Sequence, residues 1–203
     1  MMDLWVKRAI AAHTNIYTDH KHGVEFLNID DVIRHTPTRL SMYEEMANIV
    51  DYYGIDHVIL PDARGFLFAS VADSLCLSFQ QARKKGKLPG DLISMPLADR
   101  EYDSKNGDVL EMAKMDLSRK RVAIIDDVLA TGGTALTAAR MIRELKGDPV
   151  LMLSVYEIDG LDGRRVLEQE NVAVESLLSL SEVKELRHKQ KLPVTLTKTL
   201  VPA

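Results

Sequence analysis

Arg121-Val122-Ala123-Ile124-Ile125-Asp126-Asp127-Val128-Leu129-Ala130-Thr131-Gly132-Gly133-Thr134 is the stretch on which the reading of the fold turns. Its opening apolar run suits a buried strand, which delivers two carboxylates, Asp126 and Asp127, to its end. A loop of small residues then enters a helix. Gly132 and Gly133 permit close backbone approach, so the N–H groups of residues 131–134 can turn toward one anion, with the positive end of the helix behind them. The hydroxyls of Thr131 and Thr134 add donors. Asp126 and Asp127 are placed to accept hydrogen bonds from sugar hydroxyls. An acidic pair at a strand end, or two glycines at a turn, is often only structural. The whole string in this order points to a phosphate beside a diol, that is, to a ribose 5-phosphate.

Working outward, residues 135–145 continue as a helix that stops at Gly147, and residues 149–155 and 172–178 form two more compact apolar runs suited to strands. Upstream, Leu40, Tyr43, Met46, Ala47, Val50 and Tyr53 repeat at helical spacing, and Gly54 ends that helix. His57-Val58-Ile59-Leu60 is a short strand bounded by Pro61, and Gly65 opens an apolar helical stretch over residues 66–77. Strands alternating with helices over short connections predict an α/β fold, a mostly parallel central sheet with helices on both faces. Ligands of such sheets bind at the carboxyl ends of the strands. Residues 95–116 are polar and charged, carry Gly107 and have few apolar anchors, which predicts a flexible loop serving as an active-site lid.

The composition sets limits on function. With 203 residues, 46% apolar and 28% charged, the chain is expected to fold as one globular domain. No apolar stretch approaches the ~20 residues of a membrane span. The N-terminus lacks a signal-peptide layout, so a cytoplasmic protein without membrane partners is expected. The single cysteine, Cys76, sits in the apolar run 71–77 and is expected to pack as a small hydrophobe. A formal net charge of −4 offers no general attraction for nucleic acid, so an anionic ligand must be held by local positive charge or oriented backbone N–H groups. The spacing of His13, His20 and His22 fits no zinc pattern.

The strand, acidic pair and Thr-Gly-Gly-Thr loop resemble the signature of the type I phosphoribosyltransferases. That resemblance implies 5-phospho-α-D-ribosyl 1-diphosphate as substrate, Mg²⁺ as cofactor and a nitrogenous base as acceptor. Asp62-Ala63-Arg64-Gly65-Phe66-Leu67-Phe68 and Arg83-Lys84-Lys85-Gly86-Lys87-Leu88-Pro89-Gly90 resemble two segments of the adenine-using members. On that resemblance Asp126 and Asp127 hold the ribose hydroxyls and contribute to the Mg²⁺ site. Residues Ala130, Thr131, Gly132, Gly133 and Thr134 hold the 5-phosphate, and Arg64, Gly65 and Lys87 face the diphosphate. Glu101 and Tyr102 match a catalytic Glu-Tyr pair on the flexible loop, with Leu110 and Glu111 matching a downstream Leu-Glu pair. Glu101 is the candidate to take the proton that the purine must lose.

The match extends over roughly residues 23–181 and thins at the base-binding end. Family members build a small hood there, which falls at about residues 14–30 of this chain. Gly23, Val24, Phe26 and Ile29 keep its pattern, whereas its prolines are missing and Leu27 and Asn28 replace an arginine and an aspartate. The resemblance implies that the base is read through backbone groups at Glu25 and Leu27, with Phe26 nearby and Ile158 as an apolar wall. Residues 103–108 are longer and more polar than the family's usual connection. The expected reaction is transfer of phosphoribose to adenine, giving AMP and diphosphate. The alternatives are the same transfer to xanthine, guanine or hypoxanthine, or a non-catalytic sensor of the sugar diphosphate. A homodimer follows by resemblance, and residues 192–203 alternate enough for an edge strand or a subunit contact.

Overall fold

The computed structural model describes residues 3–19, 24–98 and 108–193. The elements that carry the site are strand β3 (His57–Pro61) and β7 (Arg121–Leu129), which lie side by side and parallel at the centre of a seven-stranded sheet. Val122, Ala123, Ile124 and Ile125 are all fully buried. Their alternation sends Ala123 and Ile125 into one hydrophobic cluster and Val122 and Ile124 into another, so helices must cover both faces.

Helices α1 (Leu4–His13), α3 (Thr36–Tyr52), α4 (Ala69–Ser74) and α7 (Leu180–Lys189) supply the first cluster. Helices α5 (Gly133–Glu144) and α6 (Gly163–Gln169) supply the second. Outward from β7 the sheet continues with β8 (Asp148–Glu157) and β9 (Ala173–Ser179), both parallel. The doubly covered, mostly parallel sheet expected from the alternating pattern is the observed one.

On the other side of β3 come β4 (Ser78–Lys84), parallel to it, and then an antiparallel pair, β6 (Val109–Ala113) and β5 (Leu92–Pro96). The first of these strands escapes a reading by apolar pattern. In β4 only Ala82 is buried, and the strand owes its place to backbone pairing with β3 and β6. The predicted loop over residues 95–116 is corrected accordingly. Leu110 and Met112 of β6 are buried, as is Leu117, which anchors this stretch in the second cluster. The connection between β5 and β6 is residues 97–108, of which 99–107 lie outside the described residues.

Three further expectations change at the level of local structure. Strand β7 runs on through Leu129, because β8 is long enough to pair Val128 with Tyr156 and Leu129 with Glu157. Asp126 and Asp127 therefore belong to the strand and do not follow it. The helical stretch over residues 66–77 divides into a 3-10 turn, Arg64–Phe68, and the short α4. Cys76 is not a core residue. It is exposed and takes a left-handed conformation with φ 54, in a turn where its N–H reaches the Asp73 carbonyl at 3.1 Å. Near the N-terminus, β1 (Asn15–Asp19) and β2 (Val24–Asn28) form a separate two-stranded antiparallel sheet, followed by α2 (Asp30–Arg34).

Candidate active site

The carboxyl ends of β3 and β7 meet at Gly65. A Cβ there would lie 2.8 Å from Pro61 Cδ and 2.9 Å from the Ile125 carbonyl oxygen, so only glycine lets the 3-10 turn press against β7 immediately before Asp126. Arg64, on the same turn, brings Nε to 3.1 Å from Asp127 Oδ2. The Asp62–Ala63 peptide bond leading into this turn is cis. Asp62 ties the turn to β4, its N–H reaching the Ala82 carbonyl at 2.7 Å and its carboxylate lying 3.4 Å from Arg83 Nε. The Arg83 guanidinium also stands over the Phe66 ring, 5.4 Å from its centroid.

Asp126 and Asp127 form one electrostatic unit. The Asp127 N–H donates to Asp126 Oδ1 at 2.8 Å. Burial pushes the Asp126 carboxyl well above the usual carboxylate range, and the charge of Asp127 pushes it further. Asp127 is also raised by burial, partly offset by Arg64. Asp127 Oδ2 is buried and has no hydrogen-bond partner among the described residues, because the close Arg64 Nε is not aligned to donate to it. A buried carboxylate oxygen in that state calls for a cation or a hydroxyl donor.

The loop after β7 closes on Gly132, which caps α5 in a left-handed conformation, φ 83. The Leu136 N–H bonds the Gly132 carbonyl at 2.8 Å, so α5 starts here, and the start of a helix is the end that favours anions. Ala130, Thr131, Gly132, Gly133 and Thr134 are thus brought together as one loop. Its backing is Gly163, at the start of α6, whose N–H reaches the Ala130 carbonyl at 3.2 Å. A Cβ at Gly163 would lie 2.3 Å from that oxygen. Nothing local in sequence links Gly163 to residue 130.

The basic segment leaves β4 as a turn. Lys87 is exposed, and neither it nor Lys85 makes an ion pair among the described residues. Glu111 shapes this turn from β6. It is buried, accepting the Gly86 N–H at 2.8 Å and the Ser94 hydroxyl at 3.3 Å. Glu101 and Tyr102 lie outside the described residues, as do His20, His22 and Gly23.

At the base end the structure separates the four candidates. On β2, Leu27 is buried in the first cluster and Glu25 pairs with Lys184 of α7 at 2.5 Å. Their side chains are engaged with the protein body. Phe26, on the alternate face, is 43% exposed. Ile158 is partly buried against the first cluster, and its N–H holds the Leu129 carbonyl at 2.9 Å. Among the described residues no group of three or more His, Cys, Asp or Glu side chains could enclose a metal ion.

The loop at the start of α5, the two carboxylates of β7 before it and the neighbouring Arg64 stand together at the carboxyl end of the central strands. Residues 39–166 match the phosphoribosyl transferase domain family, and the chain belongs to that family. Its relatives include proteins named adenine phosphoribosyltransferase. That of Clostridium kluyveri is 38% identical over 150 residues, covering 73% of this chain and 85% of the relative. That of Alkaliphilus metalliredigens is 38% identical over 161 residues, covering 78% and 91%. Among solved structures, the adenine phosphoribosyltransferase of Giardia lamblia complexed with 9-deazaadenine superimposes with a TM-score of 0.78 at 31% identity, covering 86% of this chain and 97% of that one. The enzyme from Thermoanaerobacter pseudethanolicus gives a TM-score of 0.77 at 31% identity, covering 85% and 99%.

Proposed function

We propose that this protein transfers the 5-phosphoribosyl group from 5-phospho-α-D-ribosyl 1-diphosphate to adenine, forming AMP and diphosphate. The observation that carries the reading is the buried Asp126–Asp127 pair, with Asp127 Oδ2 short of a hydrogen-bond partner among the described residues, beside the N-terminus of α5. The similarity to adenine phosphoribosyltransferases supports the choice of base.

In this reading the N–H groups and hydroxyls of residues 130–134 hold the 5-phosphate, and Asp126 and Asp127 accept hydrogen bonds from the ribose hydroxyls. Arg64 and Lys87 supply positive charge to the diphosphate, and the close packing at Gly65 keeps Arg64 beside Asp127. Backbone groups at Glu25 and Leu27 read the base edge, with Phe26 and Ile158 as apolar surface. As diphosphate leaves, C1 of the ribose develops oxocarbenium character while a purine nitrogen forms the new bond. Glu101 accepts the proton that the purine gives up, with Tyr102 beside it. Exclusion of water from this step prevents hydrolysis of the activated sugar.

Magnesium belongs to the same proposal. Two raised carboxyls, one with an unpartnered oxygen, suit a hard cation shared with substrate oxygens better than a fully protein-made cage. Bound there by Asp126 and Asp127 together with the substrate, Mg²⁺ would neutralise the diphosphate as it departs. A homodimer in the cytoplasm completes the proposal. No described helix is long and apolar enough to cross a membrane. Light scattering at twice the mass of one chain would support the dimer.

The deciding assay offers adenine, hypoxanthine, guanine and xanthine separately, with the sugar diphosphate and Mg²⁺, and follows nucleotide formation. AMP as the sole product is expected. Preferred formation of another nucleotide refutes the choice of base and leaves the sugar-phosphate assignment standing. Binding of the sugar diphosphate without turnover of any base refutes the transferase.

A further inference from the structure

Thr14 is the residue from which the hood springs, and it is fully buried. It caps the C-terminal end of α1 and immediately precedes β1. Its hydroxyl donates to the Ile10 carbonyl at 2.7 Å. That uses its one proton, so the Tyr156 hydroxyl, 2.6 Å away, is the donor to Thr14 Oγ1. Tyr156 belongs to β8, where it pairs with Val128, the residue after Asp127, and it too is fully buried. Burial pushes its hydroxyl above the ordinary tyrosine range, the Thr14 bond offsets part of this, and the charge of Asp127 adds to it.

Thr14 is also held from α7. Arg187 is 4% exposed, and its hydrogen-bond acceptors among the described residues are all backbone carbonyls. Nη1 reaches the Ala11 carbonyl at 3.0 Å, the Ala12 carbonyl at 3.3 Å and that of Thr14, while Nε reaches the Pro193 carbonyl at 2.7 Å. Three of the four lie at the C-terminal end of α1, where carbonyls run out of helical donors and a cation is favoured. A shift of Thr14 has a short path to the other hood strand, because β1 and β2 are paired with Ile16 opposite Leu27 and Thr18 opposite Glu25. Ile16 and Leu27 are buried in the first cluster, and Lys184, one turn before Arg187, holds Glu25.

We propose that Arg187 and Tyr156 are positioning residues for base recognition: by fixing Thr14 they set the β1–β2 ladder relative to β7 and β8, and so the base relative to the sugar. The proposal rests on the reading of Glu25 and Leu27 as base-binding positions. Both residues act through Thr14. Elsewhere along α1, the Lys7–Glu182 pair at 2.8 Å keeps that helix on α7, so the loss of one bond at Thr14 shifts the root of the hood without releasing the helix.

The variants that test this are Tyr156→Phe, Thr14→Val, Thr14→Ser and Arg187→Lys. Phenylalanine removes one oxygen, valine removes the hydroxyl at nearly constant shape, and serine keeps it. Lysine keeps the charge but lacks the planar fork that meets several carbonyls at once. The readouts are kcat, melting temperature, KM for the sugar diphosphate and KM for the purine that the parent uses, adenine on the reading above. KM for the purine is expected to rise by roughly 5-fold or more in Tyr156→Phe, Thr14→Val and Arg187→Lys, the equivalent of about one net hydrogen bond, with KM for the sugar diphosphate within about 2-fold. Thr14→Ser should stay within about 2-fold of the parent in both. A merely structural role would lower the melting temperature and the apparent kcat and leave both KM values where they were.

A parental KM for the purine in Tyr156→Phe or in Arg187→Lys overturns the proposal. So does an equal rise in both KM values, a loss confined to kcat, or a Thr14→Ser protein as impaired as Thr14→Val. Tyr156→Phe decides the matter should Arg187→Lys fail to fold. A parent that turns over no base sinks the transferase reading and this proposal with it. An active parent whose variants keep its KM for the purine sinks this proposal alone.

Discussion

Substituting Gly163 by alanine tests whether α6 braces the anion-binding loop. The added Cβ would lie 2.3 Å from the Ala130 carbonyl oxygen, 3.0 Å from Leu129 Cδ1 and 3.1 Å from the Gly132 nitrogen. Carbon and carbonyl oxygen settle at ~3.3 Å or more, so the loop or the helix must move by roughly 1 Å. Gly163 has no positive φ, and alanine would otherwise favour the helix by up to ~1 kcal/mol. Overpacking costs typically ~1–3 kcal/mol, so with the helix gain set against it the net loss is up to about 2 kcal/mol if the helix takes up the strain. At ~2–4 °C per kcal/mol for a chain of this size, the melting temperature should fall by up to roughly 8 °C.

If the loop yields instead, the Gly132 and Gly133 N–H groups shift from the place proposed for the 5-phosphate. KM for the sugar diphosphate should then rise by ~10-fold or more while KM for adenine stays near its starting value. Steady-state kinetics with each substrate varied, together with thermal unfolding, reads both outcomes. Gly160→Ala is the comparison, since Gly160 has φ +82 and no neighbour within 4 Å of an added Cβ. It should lower stability by ~1–2 kcal/mol through its backbone alone and leave KM unaltered. A Gly163→Ala protein with parental melting temperature and parental KM would refute the claimed contact.

Asp126→Asn should raise the melting temperature of the ligand-free protein at neutral pH while abolishing transfer, as calorimetry and the nucleotide assay would report. The sign follows from the raised carboxyl. Its stability contribution is fully present below the unfolded value, 3.8, and is lost as pH rises through the higher folded value, so at neutral pH the charged form is the destabilising one. By the same raised pKa values of Asp126 and Asp127, binding of the sugar diphosphate with Mg²⁺ should weaken as pH falls below neutral, which titration calorimetry across pH would detect; flat affinity would count against the pair. Glu111→Ala should destabilise the protein by ~1–3 kcal/mol, because the Gly86 N–H loses its acceptor, and should raise KM for the sugar diphosphate through the turn that carries Lys87. An unchanged melting curve would show that Glu111 does not hold that turn.

The legible part of this protein was the part in which local pattern and tertiary role coincide. Residues 121–134 state their strand, acidic pair, turn and helix in consecutive order, and β3, β8 and β9 carry apolar runs that match their burial, whereas in α3 the helical repeat holds at Met46, Ala47 and Val50 but places Leu40, which is exposed, in the core and passes over the buried Met42. Strand β4 was missed because pairing with β3 and β6, and not apolar content, makes it a strand, and β5 and β6 because their short apolar runs flank a stretch that is polar in sequence. Cys76 was misplaced for a related reason: the apolar run around it ends in a left-handed turn that exposes it.

The sequence by itself determined the parallel sheet covered on both faces and the candidate sugar-phosphate loop, since a buried strand end followed by glycines needs no distant partner to be read. Tertiary structure alone decided what braces that loop. Gly163 lies about 30 residues beyond Ala130 and yet touches its carbonyl, and Thr137 reaches back to Ala98. Tertiary structure also decided that Leu27 enters the core and Glu25 pairs with Lys184 at the far end of the chain. Such contacts depend on shapes and distances set by the packing of whole elements, which no local residue pattern encodes.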